Sequence, residues 1–186
     1  MIILSAGNSE IFDFATPIGV GLIHSSINLT KLIIDKKPKS ILFIGSAGSY
    51  GNFKPFDIIY SHSSTNIETG YFYNNCYTPI ENKISAKKLN VSCETTNKNS
   101  ILVNSSNYIT TNKDISNKFL ENSIEAENME FYSILTVANK FNIPSLGIFI
   151  ITNYCDKFAH NDFKKNHKKA KELLITEIKK QVSNNE

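Results

Sequence analysis

The stretch from Ser123 to Asn153 leaves this chain few ways to fold. It reads as a short strand ending in Glu127-Asn128-Met129-Glu130, then a helix from about Met129 to Phe141. A turn at Asn142-Ile143-Pro144 follows, and an apolar strand from Leu146 to Ile151 delivers Thr152-Asn153. Helical spacing of apolar residues between two short apolar runs is the pattern of a strand–helix–strand unit. Such a unit is expected to bring the polar ends of both strands to one edge of a parallel sheet, where open α/β folds bind small molecules. One end carries a carboxylate beside a thioether, the other an amide.

The rest of the chain alternates in the same way. Met1 to Ala6 reads as a buried strand stopped by the turn cluster Gly7-Asn8-Ser9. Glu10 follows, either as a solvated loop acid or as a carboxylate leaning over the site. Ile18-Gly19-Val20-Gly21 leads into an amphipathic helix from about Leu22 to Asp35, with Ile23, Ile27 and Ile34 as its apolar stripe; Lys36-Lys37-Pro38 ends it. Ser40 to Ile44 is a strand that opens into Gly45-Ser46-Ala47-Gly48, where backbone amides can face a ligand without side-chain obstruction. Asp57 to Tyr60 and Ile101 to Val103 are further strands, and Asp114 to Leu120 a short helix. Residues 61 to 100 are polar, with Tyr71, Phe72, Tyr73 and Tyr77 clustered as a packed excursion or a subunit contact. A lysine-rich helix closes the chain, with Ala170, Leu173, Leu174 and Ile178 as its apolar stripe. With no internal repeat and no linker, the expectation is a single domain over residues 1–186: α/β, three layers, α/β/α, around a mostly parallel central sheet.

Composition narrows the function. Charged residues make up 20% of the chain and the formal net charge is only +3, without the basic stripe and interleaved aromatics that nucleic acid requires. No apolar run reaches the roughly 18 to 20 residues of a membrane span, and the run of residues into the first strand gives no expectation of a signal peptide. Three scattered cysteines form neither a metal-ligand spacing nor a disulfide framework. The expectations are a cytoplasmic protein, no nucleic acid or membrane partner and no metal. Every basic side chain is lysine, for the sequence contains no arginine.

Taken in order, several motifs resemble the nucleoside phosphorylase and nucleosidase superfamily. That group includes purine nucleoside phosphorylases, methylthioadenosine/S-adenosylhomocysteine nucleosidases and futalosine hydrolases. Ile18-Gly19-Val20-Gly21 is similar to the family's Ser-Gly-Ile-Gly helix entry. Lys37-Pro38 before a strand ending in Gly45-Ser46-Ala47-Gly48 resembles its Lys-Pro and Gly-Ser-Ala-Gly segment, and Phe56 to Ile59 its Val-Gly-Asp-Ile-Val strand. Val103 to Ile109 resembles the stretch that supplies an aromatic platform. Glu127-Asn128-Met129-Glu130 resembles the Glu-Asn-Met-Glu of futalosine hydrolases.

The resemblance implies a nucleoside phosphorylase-like fold and cleavage of the bond between ribose and a purine. Glu130 would bind the ribose hydroxyls and favour positive charge on the sugar; Met129, next to Asn128, would pack on it. Tyr108 would stack on the base, and Ser46, with the backbone of Ala47 and Gly48, would face the nucleophile together with Glu10. Asn153 departs from the aspartate of the adenine-nucleoside hydrolases. An amide offers a hydrogen bond and accepts one but cannot give up a proton outright. Futalosine hydrolases and trimeric purine nucleoside phosphorylases resemble this chain in carrying asparagine here, and that resemblance implies a 6-oxopurine such as hypoxanthine or guanine. Phosphorylases of the family clamp phosphate with arginines, and Phe149 stands where the nucleosidases carry one. Hydrolysis is therefore favoured over phosphorolysis. No cofactor is implied, phosphate being a co-substrate only in the phosphorylase reading. A catalytically weak or inactive nucleoside-binding relative is the third reading. Members assemble, so a homo-oligomer is expected, a dimer by preference.

Overall fold

The computed structural model describes residues 1–87 and 101–183. The later part of the polar excursion, with Cys93, lies outside the described residues. The strands are β1 (Ile2–Ser5), β2 (Thr16–Pro17), β3 (Ile41–Ser49), β4 (Ile58–Ser61), β5 (Ser63–Thr65), β6 (Lys83–Ser85), β7 (Leu102–Asn104), β8 (Ala126–Glu127) and β9 (Ser145–Tyr154). The α-helices are α1 (Gly21–Lys36), α2 (Lys113–Glu121), α3 (Phe131–Lys140) and α4 (Ala159–Ser183). All nine strands join one mixed, mostly parallel sheet. Among the described residues no helix is long and apolar enough to cross a membrane.

Strand alternation builds the layers. On β3, Ile41 and Phe43 face the core shared with α1 and α3, while Leu42 and Ile44 face the core under α4. On β9, Phe149 and Ile151 take the first side and Ile148 and Ile150 the second. Strands buried on both faces read as unbroken apolar runs, as these do. Phe43, Phe131 and Phe149 form the centre of the first core, with ring centroids 5.1 to 6.3 Å apart. Gly147 makes room for them: a β-carbon there would sit 2.5 Å from the Phe149 ring and 2.7 Å from that of Phe131. Truncating such a buried ring costs about 3–5 kcal/mol.

Three expectations need correction. On α1 the buried face is Gly21, Ser25, Leu29 and Ile33, whereas Ile23, Ile27 and Ile34 are exposed. Helical spacing identified a stripe but not the side it serves. On α4, Leu173 is turned from the expected stripe toward solvent.

The third correction concerns the opening unit. β9 runs parallel to β3, but β8 runs antiparallel to it. β1 pairs with β3 at Ile41 to Phe43, on the edge opposite β9, and β8 pairs with that same edge at Gly48 and Ser49. β1 and β8 therefore approach from opposite directions and stop short of each other. Between their ends, among the described residues, the β3 backbone around Ser46 has no strand partner on that edge. The site is built over this gap.

Candidate active site

Backbone polar groups left without a strand must be satisfied by side chains or solvent. Here Ser46 N–H donates to Glu10 Oε1 at 2.8 Å, and Ser46 C=O accepts from Asn128 Nδ2 at 3.1 Å. The Ser46 hydroxyl also donates to Glu10. Gly45 lets the acid come so close, since a β-carbon there would lie 2.8 Å from Glu10 Oε2. Glu10 reaches this place from the turn after β1, where Gly7 and Asn8 hold positive φ and Glu10 N–H donates to Gly7 O. It is a buried carboxylate rather than a solvated loop acid.

Asn128 does most of its work within the protein. Its Oδ1 accepts from Glu130 N–H and Phe131 N–H, both at 3.0 Å, which caps the first turn of α3. The cap fixes Glu130, whose Oε1 accepts from Gly21 N–H at 2.8 Å across 109 residues of sequence. Gly21, at φ 82°, opens α1, so the two helix starts are tied through one carboxylate.

Asn153 is the penultimate residue of β9, beside Gly48. Its Oδ1 accepts from the Thr152 hydroxyl at 2.8 Å and its Nδ2 donates to Tyr154 O at 3.0 Å. Gly48 pairs across the sheet with Asn153 on one side and Glu127 on the other. Tyr108 stands on the loop after β7 with its ring exposed, its N–H donating to Ser106 Oγ at 3.1 Å.

These groups surround one cavity of about 320 Å³. It is lined by all nine residues singled out from the sequence: Glu10, Ser46, Ala47, Gly48, Tyr108, Asn128, Met129, Glu130 and Asn153. Sequence reasoning did not single out Glu127, Thr152 or Phe163 as lining residues, and His160, in the first turn of α4, lies at the cavity as well. For Glu127 a signal was present in the motif itself, as its first letter. For Phe163 none was, because only the packing of α4 brings it there. Among the described residues no group of three or more His, Cys, Asp or Glu side chains gathers to hold a metal.

Three acids meet here in poor solvent. Burial raises the Glu130 carboxyl to about 7, with Gly21 N–H opposing and the charge of Glu10 adding to the rise. Burial likewise raises Glu10, against the two Ser46 donors and Lys171 of α4. Glu127 is raised for the same reason, against hydrogen bonds from Thr110 and Tyr50. Such a cluster can stabilise positive charge on a bound sugar and handle protons near neutral pH.

The fold has solved relatives. A mutant of the methylthioadenosine nucleosidase of Helicobacter pylori, with 5'-methylthioadenosine in its active site, aligns over 98% of this chain and 97% of its own, at TM-score 0.79 and 17% identity. A mutant futalosine hydrolase of the same organism aligns over the same shares at TM-score 0.76 and 18% identity. A putative methylthioadenosine/S-adenosylhomocysteine nucleosidase of Francisella philomiragia aligns over 98% of this chain and 97% of its own, at TM-score 0.80 and 17% identity. No curated protein matches. Residues 1–182 match the family described as the phosphorylase superfamily, and the chain belongs to it.

Proposed function

We propose that the protein cleaves the N-glycosidic bond of a purine nucleoside, a 6-oxopurine nucleoside by preference, with water as the nucleophile. The observation that carries this reading is the shared cavity. It holds a buried carboxylate on a serine, Glu10 with Ser46, a second carboxylate at Glu130 and an amide at Asn153. Its volume suits a small ligand.

Breaking the ribosyl bond develops positive charge on the sugar and negative charge on the base. Glu130 binds the ribose hydroxyls and stabilises the cationic sugar, and Met129 packs on its face. Glu10, oriented by Ser46, holds water and takes its proton as it adds to the anomeric carbon. Ala47 and Gly48 line the passage between sugar and base. Tyr108 stacks on the ring, and Asn153 hydrogen-bonds it. A relative of the same fold holds 5'-methylthioadenosine, which supports a nucleoside guest. The lack of arginine supports water over phosphate, because lysine cannot offer the bidentate fork. The reading requires no cofactor.

Base release from inosine, guanosine, methylthioadenosine and futalosine, each with and without phosphate, tests it. Free ribose or its 5'-substituted form is the expected sugar product. Strict dependence on phosphate with formation of ribose 1-phosphate would establish the phosphorylase instead, and binding without turnover the inactive relative. An adenine-only profile would sink the 6-oxopurine preference. The homo-oligomer keeps its place in the proposal, now supported by the exposed Ile23, Ile27 and Ile34 on α1 as well as by Tyr71, Tyr73 and Tyr77. Light scattering of the purified protein checks it, a dimer being expected.

A further inference from the structure

Asn153 cannot protonate a departing base, yet the register of the sheet sets a glutamate on the other side of Gly48 from it. Glu127 and Asn153 are both partners of Gly48, one on each neighbouring strand. Residues opposite each other in adjacent strands project to the same face. Gly48 has no side chain to separate them. The point a Gly48 β-carbon would occupy lies 2.7 Å from Cys155 Sγ, 3.2 Å from Asn153 Nδ2 and 3.3 Å from Glu127 Cγ, so the two side chains approach each other over the glycine, beside the Cys155 thiol. Both line the cavity.

We propose that Glu127 is the acid that protonates the departing base, with Asn153 orienting the ring beside it. This rests on the N-glycosidase reading and adds to it the residue that makes the base a good leaving group.

The surroundings of Glu127 suit the task. Tyr50 hydroxyl donates to Oε2 at 3.0 Å and Thr110 N–H donates to Oε1 at 2.9 Å, which fixes the carboxyl plane. The titratable groups facing it are Tyr50 and Cys155, both held in their neutral forms by burial; Lys113 and Asp156 act on Cys155 from farther out. Burial therefore keeps a proton on Glu127 at higher pH than an ordinary carboxyl would hold it.

The step balances. As the bond between the anomeric carbon and the purine nitrogen breaks, its electron pair goes to the purine. The Glu127 carboxyl transfers its proton to a ring nitrogen of that purine. Water adds to the anomeric carbon and gives one proton to Glu10. Base and ribose leave neutral, and solvent returns the proton from Glu10 to Glu127.

A leaving-group comparison tests this. Glu127→Gln should lower kcat on inosine by about 100-fold or more, in the range of lost general-acid catalysis. On p-nitrophenyl riboside, whose leaving group needs no proton, the loss should collapse to within a few-fold. Equal losses on both substrates, or none on either, would overturn the proposal. The unmodified protein supplies a second measurement that does not depend on the variant folding. Its inosine-to-nitrophenyl rate ratio should be level at low pH and fall about tenfold per pH unit above the Glu127 transition; a ratio independent of pH overturns the proposal. No cleavage of any nucleoside by the unmodified protein would instead fell the N-glycosidase reading itself.

Discussion

Glu130 and Tyr108 border the same cavity, but Glu130 is 3% exposed and Tyr108 85%. The difference runs through the whole site. Its floor is made of residues fixed from far along the sequence. Gly21 holds Glu130, Ser46 holds Glu10, and β3 sets Glu127 against Asn153. Its rim is a loop, where the amide of Tyr108 bonds Ser106, two residues away, and the Tyr108 ring and Ile109 are exposed. Groups that must meet developing charge have to be in place before the reaction, because reorganisation would consume the advantage. A stacking platform can wait for its guest. Floor residues should therefore govern kcat, and rim residues KM.

The largest effect should come from the floor. In the proposed reaction Glu130→Ala would remove the sugar's anchor and the charge that favours a cationic ribose, and kcat/KM should fall by about 1,000-fold or more. Steady-state base release measures it. A loss confined to KM would place Glu130 in uniform binding and erase the distinction between floor and rim. Ser46→Ala is the milder probe. It removes one of the two donors on Glu10 and leaves the Ser46 N–H, so about a tenfold loss in kcat is expected, in line with one charge-assisted hydrogen bond.

The floor's buried charge also has a cost that pH exposes. Glu130 sits near 7 in the folded protein against an ordinary carboxyl near 4.5, so the native state binds the proton more tightly than the unfolded chain. The sign follows from linkage: stability owed to this group is fully present below about pH 4.5 and is lost as pH rises toward about 7, where the loss levels off. Glu130→Gln can still accept from Gly21 N–H but has no charge to bury. It should be more stable than the parent at pH 8, by up to about 3 kcal/mol, with the gain gone near pH 4.5. Urea unfolding at the two pH values reads it. A gain of equal size at both would mean that packing, not charge, separates the pair.

Gly48→Ala tests the floor's geometry. Its methyl would come within 2.7 Å of Cys155 Sγ and crowd both Asn153 and Glu127. Overpacking of this kind costs about 1–3 kcal/mol, read as a lowered melting temperature. An unchanged melting temperature would show that the strand ends are looser than the sheet register implies.

The sequence carried the floor well and the topology poorly, for one reason. Glu130, Asn128, Met129 and Asn153 lie at strand and helix ends that apolar runs delimit, so local pattern located them. The direction of β8 is decided by a pairing between Gly48 and Glu127, 79 positions apart, and nothing local records whether that pairing is parallel. The buried face of α1 was lost in a similar way. Ser25 takes a core position because its hydroxyl bonds Ser133 on α3 and the carbonyl of Gly21, and a polar residue so satisfied does not look buried in a list of hydrophobics. Glu127 went unremarked as a group in its own right because its importance depends on the side chain that Gly48 lacks.

The smallest effect belongs to the rim and sets the sharpest limit on the comparison. Stacking of one base on an aromatic ring is worth about 1–3 kcal/mol when the ring is removed, and an exposed platform belongs at the low end. Tyr108→Ala should therefore raise KM by about fivefold to tenfold, leave kcat within about twofold, and leave the melting temperature unchanged, since the ring packs on little. Tyr108→Phe should behave as the parent, because the face and not the hydroxyl does the stacking. If Tyr108→Ala instead lowers kcat as Glu130→Ala does, the loop must close over the reacting sugar and belongs with the floor. If neither constant moves, the base lies wholly between Gly48, Asn153 and Glu127, and the rim reads nothing.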